Sequence, residues 1–266
     1  MKTKKIFLTG AGSGLAREAA IDLARRGHTV YATVQYTEQI EPLQKLAQQE
    51  NLNLQVCKLD ILLPEERKQI LDYDIDVLIC NAAIGDSGSV CEISIDRIRN
   101  VFETNIFSNL ELIQLALQPM ICQKHAGRIV IVSSMAGRIP APFLSPYCAS
   151  KFALEAFATC LRQEMKLLPD CSIEVCVIEP GAFATGFNKE NNEKKYTWME
   201  KQSYFHSILD TMRPVEEKIW NFIEIKPFSS IIRQYRKTVE DFHLKHRYCA
   251  PWYQAFCIQV GRMLGL

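Results

Sequence analysis

The sequence of 266 residues predicts an α/β domain in which a parallel sheet is covered by helices on both faces. Short apolar segments alternate along the chain with segments whose apolar residues recur at helical spacing. The short segments, such as "VLIC" and "RIVIV", are apolar at nearly every position, so both faces of their sheet must be buried. No repeat or linker divides the sequence, and we therefore predict a single domain over residues 1–266.

Strands and helices alternate as far as residue 181. Strands are predicted at 5–10, 28–34, 52–60, 75–83, 127–134 and 172–181. Helices are predicted at 15–27, 37–50, 64–71, 94–124 and 146–168. This alternation is typical of a doubly wound, Rossmann-type sheet, which binds ligands at the carboxyl ends of its strands.

Beyond Phe183 the pattern is less regular. Residues 187–202 are polar and charged, whereas 203–212 have helical periodicity. We predict that the segment of about 183–214 either covers a substrate site or is a solvated surface insertion. The tail of about 249–266 is rich in aromatic and aliphatic residues. We expect it to pack against the domain or a second subunit, with binding to a membrane surface as the alternative.

Composition argues against several classes of protein. The net charge of +1 and the pI near 7.5 do not suggest nucleic-acid binding. None of the ten cysteines forms a CxxC pair, which predicts reduced cysteines and no metal site. No segment reaches the roughly 18 apolar residues of a transmembrane helix. We therefore expect a soluble, cytoplasmic protein without a transmembrane segment.

The segment "TGAGSGLA" joins the first strand to the first helix. Gly10, Gly12 and Gly14 allow a tight turn and close approach of a ligand. The helix start, with Ser13 and Leu15, offers free N–H groups and a positive dipole end to a pyrophosphate. Glycines in a strand–loop–helix context at the front of a βαβ pattern predict dinucleotide binding.

The end of the second strand is expected to discriminate NAD from NADP, because a carboxylate there binds the ribose 2′-hydroxyl and a basic residue binds a 2′-phosphate. The residues at this position are Val34 and Gln35, and neither is charged. The missing carboxylate argues against strict NAD use, and the missing arginine argues against tight NADP binding. We predict NADP or NAD as cofactor, with a slight preference for NADP.

The segment "YCASK" places Tyr147 and Lys151 one turn apart on one face of a predicted helix. A cation beside a phenol favours the phenolate and would lower the pKa of Tyr147 toward neutral pH. Such a pair suits proton transfer, although tyrosine and lysine also meet on helices by chance.

With the glycine-rich loop, this pair resembles the short-chain dehydrogenase/reductase family over about residues 4–187. The loop is similar to the family's TGxxxGxG, with Ala16 in place of the last glycine, and "CNAA" is similar to NNAG. Asp60 resembles the acid that binds near the adenine, and "PGAFAT" resembles PGxxxT, which binds the nicotinamide carboxamide. The resemblance implies these cofactor contacts: Gly10, Gly12, Ser13, Gly14, Leu15, Gln35, Asp60, Asn81, Ala82, Tyr147, Lys151, Pro180, Gly181 and Thr185.

The resemblance also implies a catalytic set made of Asn105, Ser134, Tyr147 and Lys151. Ser134 stands thirteen residues before Tyr147, as in the family, with Ser133 as the alternative. The implied roles are general acid and base for Tyr147, and a hydrogen bond to the substrate oxygen for Ser134. Lys151 would stabilise the phenolate and bind the nicotinamide ribose. Asn105 would hold a water that links Lys151 to solvent.

These observations predict an NAD(P)-dependent oxidoreductase that acts on a small-molecule carbonyl/alcohol pair and, like many family members, forms a homodimer or homotetramer. A dinucleotide-binding sensor without turnover is the alternative, and an epimerase or dehydratase is a third hypothesis. Several side chains near the expected pocket either favour an apolar substrate or serve packing alone: Phe143, Leu144, Phe183, Phe187, Trp198 and Tyr204.

Overall fold

The computed structural model describes residues 2–265, with the side chains of Lys201 and Gln202 excepted. The ends of the predicted domain and tail, Met1 and Leu266, lie outside the described residues. The strands are β1 (Lys5–Leu8), β2 (Thr29–Val34), β3 (Leu54–Lys58), β4 (Val77–Cys80), β5 (Arg128–Val132), β6 (Glu174–Pro180) and β7 (Arg247–Ala250). They form one sheet in the order β3-β2-β1-β4-β5-β6-β7, and every neighbouring pair is parallel. The predicted doubly wound parallel sheet is confirmed.

Helices cover both faces of the sheet. They are α1 (Gly14–Arg25), α2 (Ile40–Gln49), α3 (Pro64–Arg67), α4 (Ile95–Phe102), α5 (Ser108–Cys122), α6 (Ser145–Leu167), α7 (Phe187–Gln202), α8 (His206–Ile223), α9 (Ser229–Glu240) and α10 (Trp252–Met263). One apolar cluster joins the sheet to α1, α2 and α9, and a second joins it to α5 and α6. The winding reverses between β1 and β4, so the carboxyl ends of these strands border a crevice.

The predicted helix over 94–124 is divided by a π-helical turn, Glu103–Phe107, between α4 and α5. The turn leaves backbone carbonyls without their usual partners. Asn109 Nδ2 supplies a donor, because it lies 3.0 Å from Thr104 O and 3.2 Å from Asn105 O. Apolar spacing could not predict this one-residue widening, since both flanking helices keep the ordinary helical period.

The irregular segment predicted at about 183–214 consists mostly of the two helices α7 and α8. The polar residues of α7 do not mark a solvated insertion, because Asn191, Asn192 and Lys195 are buried, and the last two bond to neighbouring polar groups. Burial of a polar face is the reverse of the amphipathic pattern, so hydrophobic periodicity did not reveal the helix.

The C-terminal tail forms β7 and α10, and α10 exposes its aromatic side chains. Trp252 is 77% exposed and Phe256 is 63% exposed. These two aromatic side chains do not pack against the domain, although Gln254 on the same helix contacts it. Packing of the tail against a second subunit and its binding to a membrane surface both stay predictions. Of the helices in the described part of the chain, none combines the length and apolar character needed to cross a bilayer.

Candidate active site

The glycine-rich loop after β1 packs directly on the loop after β4. Gly10 has a positive φ of 72°, and a Cβ there would lie 2.9 Å from the Cα of Ala82. Thr9 Oγ1 accepts hydrogen bonds from the backbone N–H groups of Asn81 at 2.9 Å and Ala82 at 3.0 Å. These contacts fix the two loops as one edge of the crevice, and only glycine fits at position 10.

The opposite edge brings the start of α1 toward the loop after β6. Ser13 makes no side-chain capping bond, so the first N–H groups of α1 are left for a ligand. A Cβ at Gly14 would lie 3.6 Å from Thr185 Cβ, which places the end of the PGxxxT-like segment beside the helix start. Free donors, a helix dipole and close glycine backbone fit a dinucleotide pyrophosphate.

At the far end of this crevice, the two residues predicted to read the ribose differ in exposure. Val34 is buried, whereas Gln35 is exposed at the end of β2. Asp60 shapes the next loop, since its Oδ1 accepts the N–H of Leu62 at 3.0 Å. Sequence reasoning missed Gln39. Its side chain lies 2.5 Å from the position that a Cβ at Gly12 would take.

The structure separates the two candidate serines after β5. Ser134 lies beside Tyr147, where its hydroxyl acts to lower the pKa of the phenol, and its Oγ accepts the N–H of Ala136 at 3.1 Å. Ser133 faces inward, with its Oγ 3.4 Å from the backbone oxygen of Lys151. Ser134, and not its alternative, therefore lies beside the phenol.

Tyr147 and Lys151 lie on one face of α6, with Lys151 Nζ 5.6 Å from the centre of the Tyr147 ring. Lys151 is buried and donates from Nζ to Val132 O at 2.9 Å. Burial raises the pKa of Tyr147 to about 12, against a smaller lowering by the Ser134 hydrogen bond. Burial also lowers the pKa of Lys151 to about 8. In the protein alone, desolvation therefore raises the pKa of the Tyr147 phenol, whereas the sequence predicted a lower pKa.

Asn105 lies in the π-helical turn and has both of its amide hydrogens engaged. Its Nδ2 donates to Ile84 O and to Ser150 Oγ, each at 2.9 Å, while Oδ1 accepts the N–H of Ile84 at 2.8 Å. The side chain therefore ties the loop after β4 to α6. It has no free donor for the predicted water, so such a relay would use other atoms of this residue.

Behind Lys151 lies a buried group of charges that sequence reasoning missed. Glu155 Oε2 pairs with Arg247 Nη2 at 2.9 Å, and Arg247 Nε is 3.2 Å from Oε1 of the fully buried Glu179. Arg138 reaches Glu179 Oε2 at 3.4 Å. Burial and the nearby Glu179 raise the pKa of Glu155, and the Glu155 carboxylate in turn opposes the lowering of the Lys151 pKa. The available signal was a charged residue inside an apolar strand, in "VIEP".

Helix α7 packs on the loop after β4 through polar contacts. Ser87 Oγ accepts the N–H of Lys195 at 2.9 Å and donates to Asn191 O at 2.5 Å. Lys195 Nζ lies 2.7 Å from Glu216 Oε2 on α8. At its start, α7 places the ring of Phe187 5.5 Å from that of Tyr147.

The aromatic residues predicted near the pocket fall into two groups. Phe143 packs edge-on against Phe205 at 5.2 Å, and Trp198 packs on the loop after β4, where its Nε1 donates to Ser87 O at 3.3 Å. Phe183 instead belongs to the core, and Tyr204 is 85% exposed. These last two side chains do not line the site.

The family model for short chain dehydrogenases matches residues 4–196 of this chain. The chain belongs to the short-chain dehydrogenase family. A probable short-chain type dehydrogenase/reductase of Helicobacter pylori, VdlC, is 35% identical over 200 residues, which cover 71% of this chain and 69% of that protein. Rat estradiol 17-beta-dehydrogenase 1 is 30% identical over 200 residues, which cover 71% of this chain and 57% of that enzyme.

Solved structures of short-chain dehydrogenases share the fold. One from Burkholderia phymatum in complex with NAD has a TM-score of 0.81 at 17% identity, covering 97% of this chain and 92% of that one. An actinorhodin polyketide ketoreductase with NADPH has a TM-score of 0.77 at 20% identity, covering 93% of this chain and 95% of that one.

Two side chains beyond the stretch matched by the short-chain dehydrogenase model reach its motifs. Gln254 Oε1, on α10, accepts the N–H of Ala182 at 2.9 Å, next to Gly181. Tyr235, on α9, donates its hydroxyl to Asn81 Oδ1 at 2.8 Å. Sequence motifs gave no signal for either residue. In the part of the chain that the structure describes, no group of three or more His, Cys, Asp or Glu side chains is placed to hold a metal ion.

Proposed function

We propose that the protein is an NAD(P)-dependent oxidoreductase that interconverts a carbonyl compound and its alcohol. The observation that carries the proposal is the meeting of Ser134, Tyr147 and Lys151 beside a crevice lined by glycine backbone and a free helix start. A dinucleotide sensor has no need of a phenol that lies beside a serine hydroxyl and a buried lysine.

A nicotinamide cofactor, when bound, supplies or accepts the hydride. Tyr147 gives its proton to the carbonyl oxygen in reduction and recovers it in oxidation, and Ser134 donates a hydrogen bond to the same oxygen. A pKa of about 12 keeps the Tyr147 phenol protonated at neutral pH, which suits the reductive direction. Lys151, with a pKa of about 8, is mostly cationic at pH 7 and so stabilises the phenolate left behind.

We propose an apolar substrate. Phe187 lies beside Tyr147, and further along α7 and α8 an apolar cluster includes Phe143, Trp198 and Phe205. One relative is an estradiol dehydrogenase by name, and estradiol is an apolar alcohol. An apolar pocket wall would bind such a molecule by removing its surface from water.

For the cofactor we propose NADP or NAD, with the slight preference for NADP that follows from the missing carboxylate. Gln35 is the exposed residue available to read the ribose, because Val34 is buried. Of the two solved structures named above, one holds NAD and the other NADPH. They support a nicotinamide dinucleotide as cofactor but do not favour NADP over NAD.

We also propose a homodimer or homotetramer, which the exposed apolar face of α10 supports. Sedimentation of the wild type and of a variant with Trp252→Ser and Phe256→Ser tests whether this face takes part. A lower mass for the variant supports the contact. Unchanged mass together with loss of binding to lipid vesicles favours the membrane-surface alternative.

The function is tested with a panel of apolar ketones and alcohols, each offered with both cofactors, while nicotinamide absorbance is followed. Cofactor binding is measured separately by fluorescence. Turnover that needs Tyr147 supports the proposal. Tight cofactor binding without turnover on any member of the panel would favour the sensor instead.

A further inference from the structure

Tyr235 connects the C-terminal part of the chain to the crevice. Its side chain is fully buried, and its hydroxyl donates to Asn81 Oδ1 at 2.8 Å across a sequence separation of 154 residues. Asn81 directly follows β4, in the segment that packs on the glycine-rich loop. The hydroxyl is therefore held where the dinucleotide crevice is built.

Helix α9 is a firm support for this hydroxyl. Arg236, the next residue, makes two bonds to Asp22 of α1, at 2.7 and 3.1 Å. One turn later, Glu240 pairs with Arg26 at the end of α1. Paired arginine–carboxylate bonds fix orientation as well as distance. Because α1 also begins at the glycine-rich loop, these ion pairs connect α9 to the helix that starts at that loop.

The Tyr235 bond also sets which way the Asn81 carboxamide points. A hydroxyl donor requires the amide oxygen on its side, so the NH₂ group faces the glycine-rich loop, 3.2 Å from where a Cβ of Gly10 would be. The backbone N–H of Asn81 is held separately by Thr9. Without Tyr235, the side chain of Asn81 would keep no other anchor of comparable geometry.

The donor role of Tyr235 persists over the working pH range. Burial raises the pKa of Tyr235 well above its usual range, and the nearby Tyr147 acts in the same direction. If Tyr147 loses its proton, the Tyr235 hydroxyl therefore keeps its own and remains bonded to Asn81.

We propose that Tyr235 is a positioning residue for dinucleotide binding, which it assists by fixing Asn81 against the glycine-rich loop. The inference rests on the proposed function, because it takes the ligand of the crevice to be a dinucleotide. Replacing the hydroxyl leaves the half-buried Asn81 oxygen without its donor and loosens the loop, and binding must then restrain that loop.

The test measures the dissociation constants of NADPH and NADH by fluorescence. We expect Tyr235→Phe to weaken binding of the preferred cofactor roughly tenfold, the scale of one buried hydrogen bond. Tyr248→Phe is the matched control, because Tyr248 is equally a buried tyrosine but bonds to Asp241 and Lys245 away from the crevice. Both variants should melt at lower temperature, whereas only the first should lose affinity.

A double-mutant cycle tests the route of the effect. In an Asn81→Ala background, Tyr235→Phe should produce no further loss of cofactor affinity, because the group that it positions is gone. Equal affinity of Tyr235→Phe and wild type, or additive losses in the cycle, would overturn the inference. Failure of the wild type to bind either cofactor would overturn the proposed function itself, so the two failures are distinguishable.

Discussion

The strand-end loops and helix α7 are in contact with each other, yet each is held in place mainly by a different kind of interaction. The loops are joined by neutral hydrogen bonds, from Thr9 and Asn105, and by glycine contacts too close for any Cβ. Helix α7 is held by buried charge, with Lys195 paired to Glu216, which also accepts the hydroxyl of Tyr196 at 2.6 Å. Neutral bonds between small groups tolerate changes of salt and pH, whereas a buried ion pair depends on both partners.

Because the loops and α7 are held by different interactions, we expect that each can be perturbed separately. Changes among the loops should alter cofactor binding and proton transfer. Changes in the α7 network should alter substrate binding and stability.

The largest effect is expected from Tyr147→Phe, on α6 beside Ser134 of the loop after β5. Turnover should fall by on the order of 10²-fold or more, because the proton donor is removed while the ring still packs. Cofactor affinity should stay within about twofold of the wild-type value. Steady-state rates and cofactor fluorescence check both statements, and near wild-type turnover would exclude Tyr147 as the acid.

On the α7 side, Lys195→Met should leave Glu216 without its buried cation. We expect a loss of about 3 kcal/mol in the free energy of unfolding, the lower end for breaking a buried pair, since Glu216 is partly exposed. The substrate KM should rise while the cofactor dissociation constant is unchanged. Lys189→Met, an exposed position on the same helix, is the control for denaturant unfolding and kinetics. Parallel loss of cofactor affinity would show that the two sides form one unit.

A smaller effect is expected from Glu155→Gln. The measurement is the dissociation constant of the cofactor as a function of pH. Lys151, with a pKa of about 8, is protonated below that pH and attracts the cofactor's anionic groups, so affinity should fall as pH rises through about 8. Loss of the Glu155 carboxylate removes the charge that raises the Lys151 pKa, so this fall should move to lower pH. Around Lys151 and Glu155, the other charged and titratable groups are Arg138, Tyr147, Glu179, Arg247 and Cys249.

The control and the contrary outcome for Glu155→Gln are both measured as the pH profile of cofactor affinity. Glu164→Gln, exposed on the same helix, should leave the pH profile unchanged. An unshifted profile in Glu155→Gln would show that this carboxylate does not act on Lys151, and the buried charges would then serve packing alone.

The smallest effect is expected at the end of β2. Gln35→Arg should improve NADPH affinity relative to NADH severalfold, and Gln35→Asp should do the reverse, because the exposed side chain meets the ribose 2′ position. The ratio of the two dissociation constants is the measurement. If neither variant changes the ratio, another residue, with Gln39 over the glycine-rich loop as the next candidate, reads this position.

Much of the fold could be predicted, because buried parallel strands are continuously apolar and glycines mark where the chain turns. Motif residues that are distant in sequence lie close together in the structure, with Ser134 beside Tyr147 and Thr185 near Gly14. The rest depended on contacts between distant segments. The inward polar face of α7 contradicts the rule that charge lies outside, so no local pattern could reveal it. Glu179 had one local signal, its place inside an apolar strand, but its partners Arg138 and Arg247 are distant in sequence.

The bond between Tyr235 and Asn81 has a consequence for how the protein is made. A ribosome adding about 5–20 residues per second needs roughly 8–30 s to pass from Asn81 to Tyr235. During that interval the N-terminal strands have emerged, but the side chain of Asn81 has no partner. Completion of the crevice therefore waits for almost the whole chain, and a nascent chain stalled before α9 would carry every sequence motif of the site without its finished shape.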